Sequence, residues 1–234
     1  MSAADTLFAD LVGQQRAIDV VRAAIGDAHG DGSGAMTHAW LITGPPGSGR
    51  SNLAYAFATA LLSPGGAVDA STSAQVVART HPDLAVLSTE GVVIRIEDVR
   101  ALVQTASYSP SVSRFRVIVI EDADRMAERT SNVLLKALEE PPERTVWLLC
   151  APSEADLLPT IRSRVRSVRL TVPDPEDVAE LLVRRDGVSA EVALEAARSA
   201  QSHIGMAHRL ATDEGAEYDT EIILDASAVS PFIT

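Results

Sequence analysis

Residues 37–52 read THAWLITGPPGSGRSN, a short apolar strand, His38 to Ile42, that runs into a turn rich in glycine and proline and opens a helix. Gly44, four intervening residues, Gly49, a basic residue and Ser51 follow the phosphate-loop pattern G-x-x-x-x-G-K-[ST], except that Arg50 stands in the lysine position. Gly44, Gly47 and Gly49 let successive backbone N–H groups turn inward as an anion nest, and the helix beginning near Arg50 adds the positive end of its dipole. Ser51 supplies the hydroxyl that a Mg²⁺ ion would take. Lysine meets phosphate as a compact charge on a flexible stem, whereas guanidinium is a planar fork that needs different room. Phosphate binding therefore tolerates the exchange better than hydrolysis does. The alternative is a strand-to-helix turn that binds no nucleotide.

A second stretch, FRVIVIEDADR (115–125), is a buried strand, Phe115 to Ile120, that ends in carboxylates. In phosphate-loop enzymes such a strand carries an aspartate for the Mg²⁺ shell, commonly followed by a glutamate that activates water. Here the order is reversed, with Glu121 in the aspartate position and Asp122 in the glutamate position. One carboxylate is a methylene too long and the other a methylene too short, and a misplacement of about 1 Å can cost a hundredfold in rate. The other reading is that these acids only solvate a strand end. A third stretch, NVLLKALEEPP (132–142), is a helix stopped by two prolines, and Thr145 to Cys150 forms a further buried strand. Alternating helices and strands point to an α/β fold, a mainly parallel sheet covered by helices on both faces. The loop then lies at the carboxyl ends of the strands, where such sheets bind ligands.

The rest of the chain fits around this frame. Ile18, Val21, Arg22 and Ile25 have helical spacing, and 26–34 (GDAHGDGSG) is a loop by composition. Residues 63–80 are rich in Ser, Gly, Ala and Thr and read as a surface insertion with room for one short helix. LAVL (84–87) is a strand candidate, followed by a second short apolar run, Val92 to Ile94, and a helix from Ile96. His81 has no companion ligand at a metal spacing and reads as a turn residue; Lys136, the only lysine, reads as solvated. With 46% apolar residues and a net charge of −12, the chain builds a substantial core but lacks the basic surface of a free-standing nucleic-acid binder. Its single cysteine, Cys150, excludes an internal disulfide. The opening MSAADTLFAD has neither a basic nor an apolar leader segment, and no run is long enough to span a membrane, so a cytoplasmic protein without membrane contact is expected.

Taken together, LVGQ (11–14), THAWLITGPPGSGRS, VIVIEDADR, NVLLKALEEPP and TIRSR (160–164) resemble bacterial clamp-loader AAA+ subunits, above all the delta-prime class of DNA polymerase III. The likeness runs from about Leu7 to Ala211, and the LEEPP helix is its most specific part. Members belong to a five-subunit ring that uses ATP to place the sliding clamp on primed DNA, and the delta-prime class acts as a stator. The resemblance implies partners accordingly: motor and delta-type subunits, with clamp and DNA met through the assembly. In related ATP-hydrolysing subunits a Ser-Arg-Cys motif puts its arginine into a neighbour's ATP site. Ser163-Arg164-Val165 keeps the arginine and loses the cysteine, so Arg164 is the implied finger in trans. Such fingers are worth about 10³ to 10⁵ in rate. Arg162, Arg166 and Arg169 read as a basic surface strip around it.

The resemblance also exposes departures. The polar sensor position after the 145–150 strand falls at Ala151-Pro152, which offers no side-chain hydrogen bond. The second sensor arginine aligns with His208, or with Arg209 if the register slips by one. Many relatives carry a four-cysteine zinc module in the region of 63–80, where this chain has no cysteine, so no zinc is expected. The expected layout is a phosphate-loop domain over 1–172, a helical lid over 173–212 and a tail, 213–234, of no recognised kind. The family's helical collar has no counterpart. ATP or ADP with Mg²⁺ is the ligand implied for Gly44, Gly47, Gly49, Arg50 and Ser51, with Glu121 and Asp122 as degenerate carboxylates. The expected role is a stator that hydrolyses little or no ATP. The alternative is a motor-type ATPase using its own loop.

Overall fold

The computed structural model describes residues 6–30, 32–66, 68–89 and 91–212, so the tail 213–234 lies outside the described residues. The chain divides into two compact units between Thr171 and Val172.

The first unit is built on five parallel strands: β1 (Ala39–Thr43), β2 (Leu84–Leu87), β3 (Arg116–Ile120), β4 (Thr145–Ala151) and β5 (Arg166–Arg169), in spatial order β2-β3-β4-β1-β5. Every residue of β1, β3 and β4 is buried, the mark of central strands covered on both faces. Their side chains alternate between two cores, as the two-residue strand period requires. On one face Trp40, Ile42, Val117, Val119, Leu148 and Cys150 pack with α1 (Gln15–Ala28) and α2 (Arg50–Leu62). On the other, Leu41, Ile118, Ile120, Trp147 and Leu149 pack with α4 (Ile96–Ala106) and α5 (Glu128–Glu139). The Trp40 and Phe57 rings meet edge to face, 5.3 Å between centroids.

The region 63–80 contains a short 3₁₀ turn, Pro64–Gly66, and one helix, α3 (Ala70–Val77), capped by Asp69, whose carboxylate accepts from the Thr72 backbone N–H. The 92–94 run forms no strand. Val92 and Val93 are exposed, and only Ile94 is buried, bridging in parallel to Met126. The last helix before β5, α6 (Pro159–Arg162), begins on a proline suited to a first helical turn.

At the amino ends of β2 and β3, Asp83 is fully buried and meets four donors: the backbone N–H groups of Ser111, Val112 and Ser113, and Nη2 of Arg116. Burial alone would push its carboxyl up, but these donors and the arginine charge together hold it below the ordinary value. Arg116 also donates to the carbonyls of Tyr108 and Ser109, so the loop before β3 is tied at both ends. His81 beside it is buried, its Nδ1 accepting from the Asp83 N–H. It is part of this structural corner.

The second unit holds α7 (Pro175–Asp186), α8 (Ala190–Ser199) and a helical segment at 204–212. Asp174 precedes a proline-led first turn in α7, Gly187 ends it in the left-handed conformation (φ 72°), and Ser189 caps α8 by accepting from the Val192 N–H. Among the described residues no helix is long and apolar enough to cross a membrane.

Candidate functional site

Close approach fixes the loop between β1 and α2. A Cβ on Gly44 would stand 2.6 Å from Ser48 Oγ and 2.8 Å from Leu170 Cβ, so no side chain fits there. Gly49, the residue that starts α2, has φ 92° and would bring a Cβ within 2.8 Å of Leu11. Gly47 also has positive φ, 79°. The Gly44 N–H donates to the Pro152 carbonyl (3.2 Å) and Ser48 N–H to the Pro45 carbonyl (3.2 Å), closing the turn against the end of β4. Arg50 and Ser51 open the helix, which has no side-chain cap.

Three buried side-chain polar atoms lack a partner among the described residues: Trp147 Nε1, Ser48 Oγ and Arg50 Nη1. Two of the three belong to this loop. A buried group left without its hydrogen bond costs about 1–3 kcal/mol. Ser48 is only 2% exposed, and its hydroxyl leans over the Gly44 α-carbon.

The two strand-end carboxylates are committed elsewhere. Glu121 Oε1 accepts from the Tyr55 hydroxyl at 2.8 Å, and Arg79 Nη2 lies 3.2 Å from each of its oxygens. Burial first, then the bond to Glu121, raises the Tyr55 phenol well above its ordinary value, so it stays a donor. Arg79 stacks over the Tyr55 ring (5.5 Å) and has φ 57°. It follows α3, where the Thr80 N–H returns to the Gln75 carbonyl and the Arg79 N–H to Val76, a left-handed helix ending that leads the chain on to β2. Asp122 faces Arg125, with Nε 3.9 Å from Oδ1, and Arg125 also donates to the carbonyls of Thr89 and Gly91. Cys150, fully buried, has its thiol pushed up to about 12 by burial; Arg50 opposes this, and Glu121 and Asp122 add to it. Ala151 is fully buried and brings only a methyl group to the end of β4.

Arg164 sits at the other end of the sheet. β5 pairs in parallel with β1 from Trp40↔Arg166 to Thr43↔Arg169, so Arg164 precedes the amino end of β5 while the loop follows the carboxyl end of β1. The run from Trp40 to Gly44 alone spans about 13 Å at roughly 3.3 Å per residue. Arg164 Nη1 donates to the Thr160 carbonyl (2.7 Å) and Ser163 Oγ (3.0 Å), and Nη2 lies 2.7 Å from Glu139 Oε1 at the end of α5. It remains one-third exposed. The surrounding Arg162, Arg166 and Arg169 are all exposed, and Arg166 also donates to the Ala35 carbonyl and covers the Trp40 ring at 5.1 Å. Lys136 is exposed on α5.

In the second unit, His208 Nδ1 lies 2.8 Å from Asp186 Oδ2, and Arg209 is exposed. Arg185 and His208 both hold the Asp186 carboxyl below its ordinary value, Arg185 more strongly. Among the described residues no three His, Cys, Asp or Glu side chains gather as metal ligands. Sequence reasoning named the loop and the carboxylates but not Arg79, Tyr55 or Glu139, which occupy them or Arg164. No local pattern marks these three, because each acts across a contact distant in sequence.

Comparison with known proteins supplies the context for this geometry. A profile of the family described as DNA polymerase III, delta subunit, matches residues 29–174. The DNA polymerase III subunit delta' of Pseudomonas aeruginosa is 36% identical over 160 residues, covering 65% of this chain and 49% of that protein. The subunit gamma/tau of Mycobacterium bovis is 31% identical over 186 residues, covering 76% of this chain and 31% of that protein. The chain thus spans about a third to a half of the length of these relatives. Among solved structures, the Thermotoga maritima RuvB Holliday junction branch migration motor superposes with a TM-score of 0.61 at 20% identity, covering 86% of this chain and 61% of that one. The shared architecture is a phosphate-loop α/β fold of the AAA+ kind.

Proposed function

The chain belongs to the family described as DNA polymerase III, delta subunit, and from that premise we propose that it is a clamp-loader stator: a subunit that hydrolyses little or no ATP and supplies Arg164 to a neighbouring subunit's nucleotide. The observation that carries this reading is the position of Arg164. It stands at the amino-end rim of the sheet, across the strand length from the loop of its own chain, so it cannot reach that loop and must act, if on phosphate at all, on another chain's. A planar guanidinium suits the task because its fork meets two phosphate oxygens at once. The chain's own pocket supports the same division of labour. Arg50 replaces lysine, Glu121 and Asp122 are paired with arginines, and Ala151 presents no polar atom to a γ-phosphate. Other clamp-loader subunits are the direct partners in this reading, and sliding clamp and primed DNA are met through the assembly. A net charge of −12 agrees with DNA contact being shared in that way.

Reconstitution tests it. Replacing Arg164→Ala in the assembled complex is expected to lower its DNA- and clamp-stimulated ATPase by about 10³-fold or more, with assembly retained on gel filtration. An unchanged rate in an intact complex removes the finger assignment. A motor-type reading has one observation in its favour, the similarity to gamma/tau over 76% of the chain. Under that reading the isolated chain hydrolyses ATP, and Arg50→Lys changes the rate sharply. Under the stator reading the isolated chain is inactive with either residue.

A further inference from the structure

The phosphate loop is half of a nucleotide site and lacks the other half. We infer that it is a metal-independent site for a phosphate-bearing anion of the nucleoside diphosphate class, with the Arg50 guanidinium, in the lysine position, as the cation that meets the phosphates.

The metal half does not fit. A Mg²⁺ ion in such a fold needs free carboxylate oxygens at the end of the β3 strand and near-ideal octahedral geometry. Both oxygens of Glu121 are engaged by Arg79, one of them also by the Tyr55 hydroxyl, and the side chain is only 14% exposed. Asp122 faces Arg125. Glu121, in the position of the metal-shell aspartate, is thus already neutralised by the Arg79 guanidinium, which would repel an arriving cation. Recruiting Glu121 to a metal would break three contacts and leave Arg79 facing that cation.

The anion half does fit. Among the described residues the amides of Gly49, Arg50 and Ser51 donate to no backbone carbonyl, at the start of a 13-residue helix without a side-chain cap. Ser48 Oγ and Arg50 Nη1 are buried and unpartnered. A phosphate group seated over the turn offers several acceptor oxygens to such donors. The turn is closely packed at Gly44, where an added Cβ would collide with Ser48 Oγ and Leu170, and is closed by hydrogen bonds to the Pro152 and Pro45 carbonyls, so little ordering is needed on binding. Nothing here depends on Arg164, and failure of either assignment leaves the other standing.

The test is calorimetric titration of the full chain with ADP and, separately, with inorganic pyrophosphate, each in EDTA and in excess Mg²⁺. The expected result is saturable binding of at least one of them, with dissociation constants agreeing within about threefold between the two conditions. Pyrophosphate binding as tightly as ADP would show that the phosphates carry the recognition; ADP alone would show that the nucleoside adds to it. Arg50→Ala should abolish binding. Ser48→Ala carries a signature of opposite sign in the free and bound states: removing an unsatisfied buried hydroxyl leaves the free chain as stable or more so, yet weakens the anion by roughly tenfold. No binding of either ligand at millimolar concentration overturns the inference, and so does binding that tightens tenfold or more when Mg²⁺ is added.

Discussion

The amino and carboxyl ends of the same parallel sheet treat buried polarity in opposite ways. At the amino ends of β2 and β3, Asp83 has four lone-pair sites and four donors, and its arginine partner satisfies two further carbonyls. At the carboxyl end of β1, Ser48 Oγ and Arg50 Nη1 are buried and have no hydrogen-bond partner among the described residues. Strand geometry does not separate the two ends, since the same strands run through both. The difference lies in what each end is for. A buried polar network closed within the chain stabilises it, whereas donors held open in a rigid turn keep their interaction for something that arrives. Ligand sites in parallel α/β sheets gather at the carboxyl ends for the related reason that helix amino termini point there.

Breaking the closed end should therefore cost stability and nothing else. Asp83→Asn removes the charge opposite Arg116 and leaves a buried guanidinium unpaired, a loss on the order of 3 kcal/mol in urea unfolding at neutral pH. Anion binding by the folded fraction should not change. The same corner fixes the pH response. The folded His81 imidazole titrates below its ordinary 6.5, chiefly from burial, with Asp83 opposing. Protonation thus favours the unfolded chain, so its contribution is complete above pH 6.5 and is lost as the pH falls. Asp83, whose folded value lies below 3.8, behaves likewise, its contribution present above that value and lost on further acidification. Stability should fall in acid in two steps, and His81→Asn should remove the first. A loss below about 1 kcal/mol for Asp83→Asn would mean that the amino end is no anchor.

A smaller effect is expected where the carboxyl end has been partly closed. Tyr55→Phe removes one hydrogen bond to Glu121 and should cost about 1 kcal/mol. Arg79→Ala, at a side chain 46% exposed, should cost less, because water screens its ion pair. The informative readout is Mg²⁺. In the double variant Glu121 is released, and anion binding should gain a dependence on the metal that the parent chain lacks. If it does not, the Arg79 contact is not what keeps the metal out.

How much of this could be read from the chain follows from the range of each interaction. The loop was legible because glycine positions, strand and helix start lie within sixteen consecutive residues. The central strands were legible because β1, β3 and β4 are buried on both faces and so appear as unbroken apolar runs. The 92–94 run has the same composition but only Ile94 is covered, and composition alone does not reveal which apolar residues find a neighbour. Arg79 was illegible for a different reason. It comes from the 63–80 segment, which has weak periodicity, and it meets Glu121 across 42 residues of chain. The segment that stands where many relatives carry a zinc module delivers the guanidinium that engages Glu121. Arg166 is exposed, as a basic surface strip predicts, and what its sequence neighbours did not show is that its guanidinium also covers Trp40 and holds the Ala35 carbonyl.

The smallest expected effect concerns Arg164, an amino-end group that resembles neither case. Its partner Glu139 is 48% exposed and the arginine itself 33%, so the pair is screened by water and contributes about 0–1 kcal/mol. A carboxylate at the last turn of α5 is disfavoured by the helix dipole, which gives the arginine one reason to stay. If Arg164 serves a neighbour's nucleotide, Glu139 and that phosphate compete for one guanidinium, and the phosphate carries more charge. Glu139→Gln should then barely change unfolding, while the assembled complex shows a lower KM for ATP with kcat unaltered. Because the competitor is worth at most about 1 kcal/mol, the gain is bounded at roughly fivefold. A variant that loses stability with no change in KM would show the opposite, that Glu139 braces α5 against α6 and that Arg164 is held for the fold alone.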